Sequence, residues 1–115
     1  MKLEEFLGQK EVAPALAKDY VIIEIDTALM ENGKQVADRL RKSRRGGIPW
    51  MVILDATGKE LITSDGPKGN VGCPVQPHEI EWFLTMLRNT ARNLGEEQIA
   101  EIEAALRAYA EKLGR

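Results

Sequence analysis

The residues with the most evident chemistry are one thiol and one imidazole, Cys73 and His78, five positions apart. Cys73 lies in a loop just before a predicted helix, and a helix N-terminus or a nearby cation such as Lys68 activates a thiol for disulfide exchange. Exchange also needs a second thiol to resolve the mixed disulfide, and the chain has a single cysteine. Cys73 is therefore a weak redox candidate, and the alternative interpretation is a small loop residue.

Other catalytic and cofactor chemistries find little support in the residues. Zinc takes several ligands, and one histidine with one cysteine is too few, so we expect no metal. Residues 65–72 have the glycines of a phosphate cradle but lack the Gly-Lys-Ser/Thr ending of a P-loop. Neither paired carboxylates nor Ser-His-Asp elements stand in a recognisable context. We therefore expect no cofactor.

A basic cluster at residues 39–45 holds five cations in seven positions. Such clusters contact phosphates, but this one lies at the predicted C-terminus of a helix, where cations stabilise the helix dipole. It has no interleaved aromatic residue to stack on bases. The net charge of −2 gives no global field toward nucleic acid or an anionic membrane. The longest uncharged apolar runs are far shorter than the roughly 20 residues of a membrane span, so we expect neither partner.

The strongest functional candidate is the step Ile48-Pro49-Trp50, between a glycine pair and an apolar run. Proline is tolerated at the first residue of a strand, because that residue need not donate to the ladder. Residues 50–54 have no polar member, which predicts a strand buried on both faces. Residues 55–58 predict the following hairpin turn. Trp50 is then either an anchor for a partner or a side chain that fills space inside the domain.

The remaining elements alternate between helix and strand in a chain of 115 residues, which is the size of one domain. Residues 20–25 are β-branched and almost wholly apolar, which predicts a second interior strand. Helices are predicted at 3–7, 14–16, 33–40, from Pro77 to Gly95, and at 96–113, and a strand at 60–63. The last helix has apolar residues at spacings of 3 and 4, typical of a narrow seam that docks on the domain or on a second subunit. These are Ile99, Ile102, Leu106, Tyr109 and Leu113.

The Gly-Ile-Pro step, its strand and hairpin, and this order of elements resemble thioredoxin-like proteins over about residues 2–88. The resemblance implies an α/β fold, truncated or rearranged, with a small mixed sheet, flanking helices and an extra C-terminal helix. Residues 1–115 are then a single domain, with a core at 1–94 and a helical extension at 95–115. The resemblance also implies a cis Ile48–Pro49 peptide and a peptide- or partner-binding site at Ile48, Pro49 and Trp50.

The resemblance places the family's N-terminal strand and Cys-x-x-Cys motif before Met1. That strand is central in the family's sheet, between the equivalents of residues 20–25 and 50–54. Its absence would expose two apolar edges, and such edges pair with other chains. We therefore expect either a rearranged sheet or a homodimer.

The predicted function is a non-catalytic binding or scaffold protein, homodimeric, with a peptide or protein partner and no dithiol redox activity. Two alternatives stay open. The chain is a fragment of a thiol-disulfide oxidoreductase whose Cys-x-x-Cys lies upstream of Met1, or it is a single-thiol redox protein that uses Cys73. The acidic start, Met1-Lys2-Leu3-Glu4-Glu5, does not suit a signal peptide, and we expect a cytoplasmic location.

Overall fold

The computed structural model describes residues 2–10, 12–23, 32–41 and 50–113. Its elements are α1 (Lys2–Leu7), α2 (Ala13–Leu16), α3 (Gly33–Arg41), β1 (Val52–Leu54), β2 (Glu60–Thr63), β3 (Asp65–Gly66), β4 (Gly69–Asn70), α4 (Pro77–Thr90) and α5 (Glu96–Leu113). Helices and small antiparallel sheets thus share the described part of the chain, which is consistent with the predicted α/β class. The thioredoxin-like arrangement is a finer statement and stays a prediction.

Each long helix begins at the local signal that predicts it, but α4 ends at Thr90 rather than at the predicted Gly95, because the backbone is already extended at Ala91. Pro77 opens α4, where its missing N–H group is no loss. The Glu79 carboxylate accepts the backbone N–H groups of Val75 and Gln76, at 3.1 and 2.8 Å, so donors at the helix start are satisfied. The helix α5 follows Gly95, whose N–H group donates to Oε1 of Gln98 at 2.9 Å.

The core forms where α4, α5 and the N-terminal helices meet. The ring of Phe6 is fully buried and contacts two aromatic rings, edge-on to Phe83 at 6.2 Å and tilted to Tyr109 at 5.8 Å between centroids. The predicted seam of the last helix docks on its own domain, because its first four members are buried in this core and Leu113 packs against it. The helix α5 is therefore part of the core.

The strands β1 and β2 form the predicted hairpin, with Val52 opposite Thr63 and a register shift after Ile53. The Asp55 carboxylate accepts the hydroxyl of Thr57 at 2.7 Å and the backbone N–H groups of Thr57 and Lys59 at 2.8 and 2.9 Å. These bonds, above all the one from the Thr57 hydroxyl, lower the pKa of Asp55. The strands β3 and β4 form a second hairpin within a segment that the sequence predicts as a loop.

Two strand predictions are wrong in the described residues. The strand predicted at 50–54 is limited to β1, which is half-buried and leaves Leu54 38% exposed, so it is not buried on both faces. Residues 20–23 form no strand, and Val21, Ile22 and Ile23 are 88%, 55% and 75% exposed. Strand propensity measures the fit to a neighbouring strand and a covered face, and no neighbour is paired with residues 20–23 in the described part of the chain. The rest of that predicted strand lies outside the described residues.

A hydrogen-bonded anchor at Asp19 joins the end of the α2 segment to the connection between α4 and α5. The Asp19 carboxylate accepts the backbone N–H group of Leu94 at 2.8 Å and that of Asn93 at 2.9 and 3.0 Å. The Asn93 side-chain amide adds a bond of 3.0 Å. Desolvation raises the pKa of Asp19, but the hydrogen bonds from the backbone of Leu94, Asn93 and Arg92 together outweigh it and lower that pKa.

We predict that Asp19→Asn lowers the free energy of unfolding by about 0.5–1 kcal/mol at neutral pH, because it removes charge-assisted hydrogen bonds that solvent partly screens. A lowered carboxylate pKa stabilises the fold fully above the unfolded-state pKa of about 3.9. That stabilisation is lost as the pH falls through the folded-state value. The difference between wild type and variant should therefore shrink between about pH 6 and pH 2.5, as measured by urea unfolding.

The matched control is Glu97→Gln, which removes an exposed carboxylate from the first turn of α5. It should change the free energy of unfolding by less than about 0.5 kcal/mol. A gap between wild type and Asp19→Asn that stays constant across this pH range would contradict the assignment.

Candidate functional site

Trp50, the described member of the Ile48-Pro49-Trp50 step, is held between two elements. Its indole N–H group donates to Oδ2 of Asp65 at 2.9 Å, which uses the single donor that an indole has. The Arg41 guanidinium carbon lies 5.1 Å from the centroid of a Trp50 ring, within cation–π range. The end of α3 and the start of β3 therefore fix the orientation of this side chain.

The buried hydroxyl group of Ser64 accepts a hydrogen bond from the backbone next to Trp50. Ser64 is fully buried, and its Oγ accepts the Met51 N–H group at 2.9 Å and donates to Oδ1 of Asn70 at 2.6 Å. Oδ1 of Asn70 also accepts the Gly72 N–H group at 3.2 Å. The Ser64 backbone adds two bonds, to Met51 O and from the Val71 N–H group, each of 2.9 Å. Ser64 thus joins the entry of β1 to the second hairpin.

Ser64 and Asn70 are site residues that the sequence alone does not predict. A lone serine between a strand and a glycine turn is a common turn residue. Its sequence context carries no signal that separates a buried hydrogen-bonding centre from an exposed turn.

The second tryptophan, Trp82, attaches the hairpins to α4. Its indole N–H group donates to Thr63 O at 3.0 Å. Its ring lies so close to Gly66 that an added Cβ would be 2.9 Å from Cγ of Trp82. Beside this contact is a groove of about 290 Å³. The groove is lined by Gly66, Pro67, Lys68, Val71, His78, Glu81, Trp82 and Thr85.

His78 is exposed on the wall of this groove, and the described residues contain no group of three His, Cys, Asp or Glu side chains that could hold a metal ion. Cys73 is half-buried and packs against the core. Burial raises the pKa of the neighbouring Tyr109 phenol, with smaller contributions from Glu5 and Cys73. The redox role of Cys73 stays a prediction.

An apolar segment at residues 21–23 is the most exposed hydrophobic feature of the described chain. Its start is anchored, since the Tyr20 N–H group donates to Leu16 O at 2.8 Å and the Tyr20 hydroxyl lies 2.6 Å from Oγ1 of Thr90. Beyond Tyr20, no backbone hydrogen bond links residues 21–23 to another described residue. Exposed apolar side chains and unpaired backbone groups therefore occur together here.

The predicted site is only partly described. Ile48 and Pro49 lie outside the described residues, so the cis Ile48–Pro49 peptide stays a prediction. In the basic cluster, Arg39 is exposed and Arg41 lies on Trp50, and residues 42–45 are also outside the described part. None of the helices described is both long and apolar enough to cross a membrane.

We predict that Gly66→Ala lowers the free energy of unfolding by about 1–3 kcal/mol, because the new methyl group overlaps the Trp82 ring. Gly95→Ala is the matched control, since the atom nearest its Cβ is the mobile side-chain oxygen of Gln98 at 3.1 Å. The control should change stability by less than about 0.5 kcal/mol in urea unfolding. Equal effects of the two variants would show that the Trp82–Gly66 contact does not constrain the hairpin.

Comparison of the chain with known proteins finds no matching family model, no matching curated protein and no matching solved structure. The thioredoxin-like resemblance therefore stays a prediction. Support for a function comes from the contacts and exposed surfaces described above.

Proposed function

We propose that this chain is a non-catalytic, homodimeric binding or scaffold protein of the thioredoxin-like type, and that residues 21–23 are its partner-binding segment. The observation that carries the proposal is the exposed apolar run with no backbone hydrogen bond to a described residue. An exposed apolar strand edge recruits an extended segment of another chain by strand addition. The occupant we infer is an extended, uncharged, apolar segment of a partner polypeptide.

The exposure pattern supports a strand-like binding segment. Val21, Ile22 and Ile23 are each more than half exposed, so their side chains are accessible to a partner strand. All three residues are β-branched and uncharged, which suits apolar cross-strand pairs. Backbone hydrogen bonds would supply affinity, and the alternating side chains would supply specificity.

Trp50 supports partner binding in a second way. Because Arg41 and Asp65 fix its ring, a partner that contacts it loses little side-chain freedom on the protein's side. Rigid aromatic side chains of this kind are frequent binding hot spots. We propose Ile48 and Pro49 as the adjoining parts of this surface on the basis of the sequence alone.

The binding proposal is tested with a peptide that pairs as a strand. The acetylated, amidated peptide Thr-Val-Thr-Val-Thr-Val, labelled with a fluorophore, is titrated with the protein and followed by anisotropy. Val21→Asp with Ile23→Asp should weaken binding at least about tenfold, since buried charges oppose the apolar contact. Leu61→Asp, a change at an exposed apolar residue of β2, should leave affinity within about twofold.

Two results overturn the binding proposal. One is a wild-type protein that does not bind the peptide at concentrations up to about a millimolar. The other is equal loss of affinity in the Leu61→Asp control, which would indicate nonspecific apolar adsorption.

We also predict that the protein does not accelerate the reduction of insulin by dithiothreitol. A second thiol is needed to resolve a mixed disulfide, and the chain has a single cysteine. The turbidity assay should match the protein-free rate for both the wild type and Cys73→Ser. Acceleration by the wild type that Cys73→Ser abolishes would establish the single-thiol alternative.

A second candidate function is the thiol-disulfide oxidoreductase. Among the described residues, β1 pairs only with β2, and this candidate places a further strand at the other edge of β1. In a thiol-disulfide oxidoreductase, that strand and its Cys-x-x-Cys motif would lie upstream of Met1 in the same protein. An in-frame Trp-Cys-x-x-Cys upstream of Met1 in the gene would favour this candidate over the binding protein.

A further inference from the structure

One face of α5, distinct from its buried seam, forms the wall of an open groove of about 610 Å³. Gln9 lies at one side of the groove. The α5 residues in its lining are Glu101, Ala104, Ala105, Ala108, Tyr109 and Lys112. Three alanines thus occupy the middle of the face, and one carboxylate and one ammonium group stand toward its ends.

The positions of these residues are symmetric about the midpoint between residues 106 and 107. Glu101 and Lys112 are equally far from that midpoint, and so are Ala105 and Ala108. If a second copy of α5 packs antiparallel about a two-fold axis at this point, each Glu101 faces the other copy's Lys112. Ala105 and Ala108 then face one another in the middle, and Ala104 lies opposite the position of Tyr109, whose side chain is buried in the core. A face that complements itself in this way is the property of an isologous interface.

The two terminal charges are available for such a contact. Within the part of the chain that the structure describes, neither Glu101 nor Lys112 makes an ion pair. On the same helix, Arg107 is already engaged, since its guanidinium lies 2.9 Å from Glu103 and 3.2 Å from Glu81. The charges of α5 that border the groove thus have no ion-pair partner among the described residues.

We propose that this α5 face is the homodimer interface, with two copies of the chain packed antiparallel across a two-fold axis. The proposal rests on the homodimer of the proposed function and identifies its surface. Small side chains let two helices approach to the lower end of the usual 8–10 Å axial separation. Complementary charges at both ends fix the antiparallel register and exclude the parallel arrangement, in which like charges would meet.

The size of the face determines the expected strength of the dimer. Residues 101–112 span roughly 17 Å of helix at 1.5 Å per residue, which is short for a stable interface of about 1,200–2,000 Å². We therefore expect a weak, concentration-dependent dimer. Because its ion pairs are solvent-accessible, the dimer should weaken further as ionic strength rises.

The test is charge reversal followed by restoration of the symmetric pair. Glu101→Lys or Lys112→Glu places like charges at both ends of the interface and should weaken dimerisation at least about tenfold in sedimentation equilibrium. The double variant Glu101→Lys with Lys112→Glu restores both opposite-charge pairs and should return to within about threefold of the wild type. Glu97→Lys, on an exposed residue of α5 outside the groove, is the matched control and should dimerise like the wild type. Circular dichroism confirms that each variant is folded.

The proposal is overturned by any of three results. These are a wild-type mass that stays at the 12.8 kDa of one chain up to about a millimolar, single variants that dimerise like the wild type, and a double variant that stays as weak as the singles.

The Thr-Val peptide titration separates this proposal from the proposed function. If the α5 variants dimerise normally but Val21→Asp with Ile23→Asp does not, the α5 interface is wrong and the binding segment itself joins the copies. If the wild-type protein dimerises through α5 but does not bind the peptide, the partner-binding function fails and the interface stands.

Discussion

The packing of α4 against α5 around Phe6 is the interaction on which the rest of the structure depends. Each of these helices contributes a continuous apolar face, and together they contain most of the buried apolar side chains of the described residues. The two hairpins lack a comparable core. Isolated two-stranded hairpins are marginally stable in water, so they depend on the contact of Trp82 with Thr63 and Gly66. The helix pair therefore supplies the stability of the fold, and the strands contribute exposed surface.

Under the proposed function, a strand of a partner polypeptide completes the sheet. The strand β1 has a paired partner on one side in the described chain, and residues 21–23 present apolar side chains to solvent. A ligand that binds the native state alone raises its stability by mass action. A bound strand would therefore stabilise the least stable part of the fold, and the helical pair would change little.

The sequence predicts the elements whose signals are local. Pro77 opens α4, Gly95 precedes α5, and the Asp55 turn defines the first hairpin, because each signal acts within a few residues. Features that depend on contacts between residues far apart in the sequence are harder to predict. The apolar run at 20–25 has the composition of an interior strand, yet a strand also needs a neighbour that composition does not specify. The hydrogen bonds of Ser64 to both hairpins depend on the tertiary fold, and the symmetric face of α5 was hidden beside the stronger seam pattern of the same helix.

The hydrogen bonds that fix Asp19 and Tyr20 have a consequence for the entropy of the binding proposed for residues 21–23. Fixing the backbone of one residue costs about 1–2 kcal/mol. The residues just before the exposed segment are already fixed, because Asp19 bonds to the backbone of Leu94 and Tyr20 is tied to Leu16 and Thr90. Under the proposed function, a partner strand would meet a binding segment that is already ordered at its N-terminal end. The bonds of Asp19 and Tyr20 would lower the ordering cost of binding on that side, and they would set the orientation of Val21 before a partner binds.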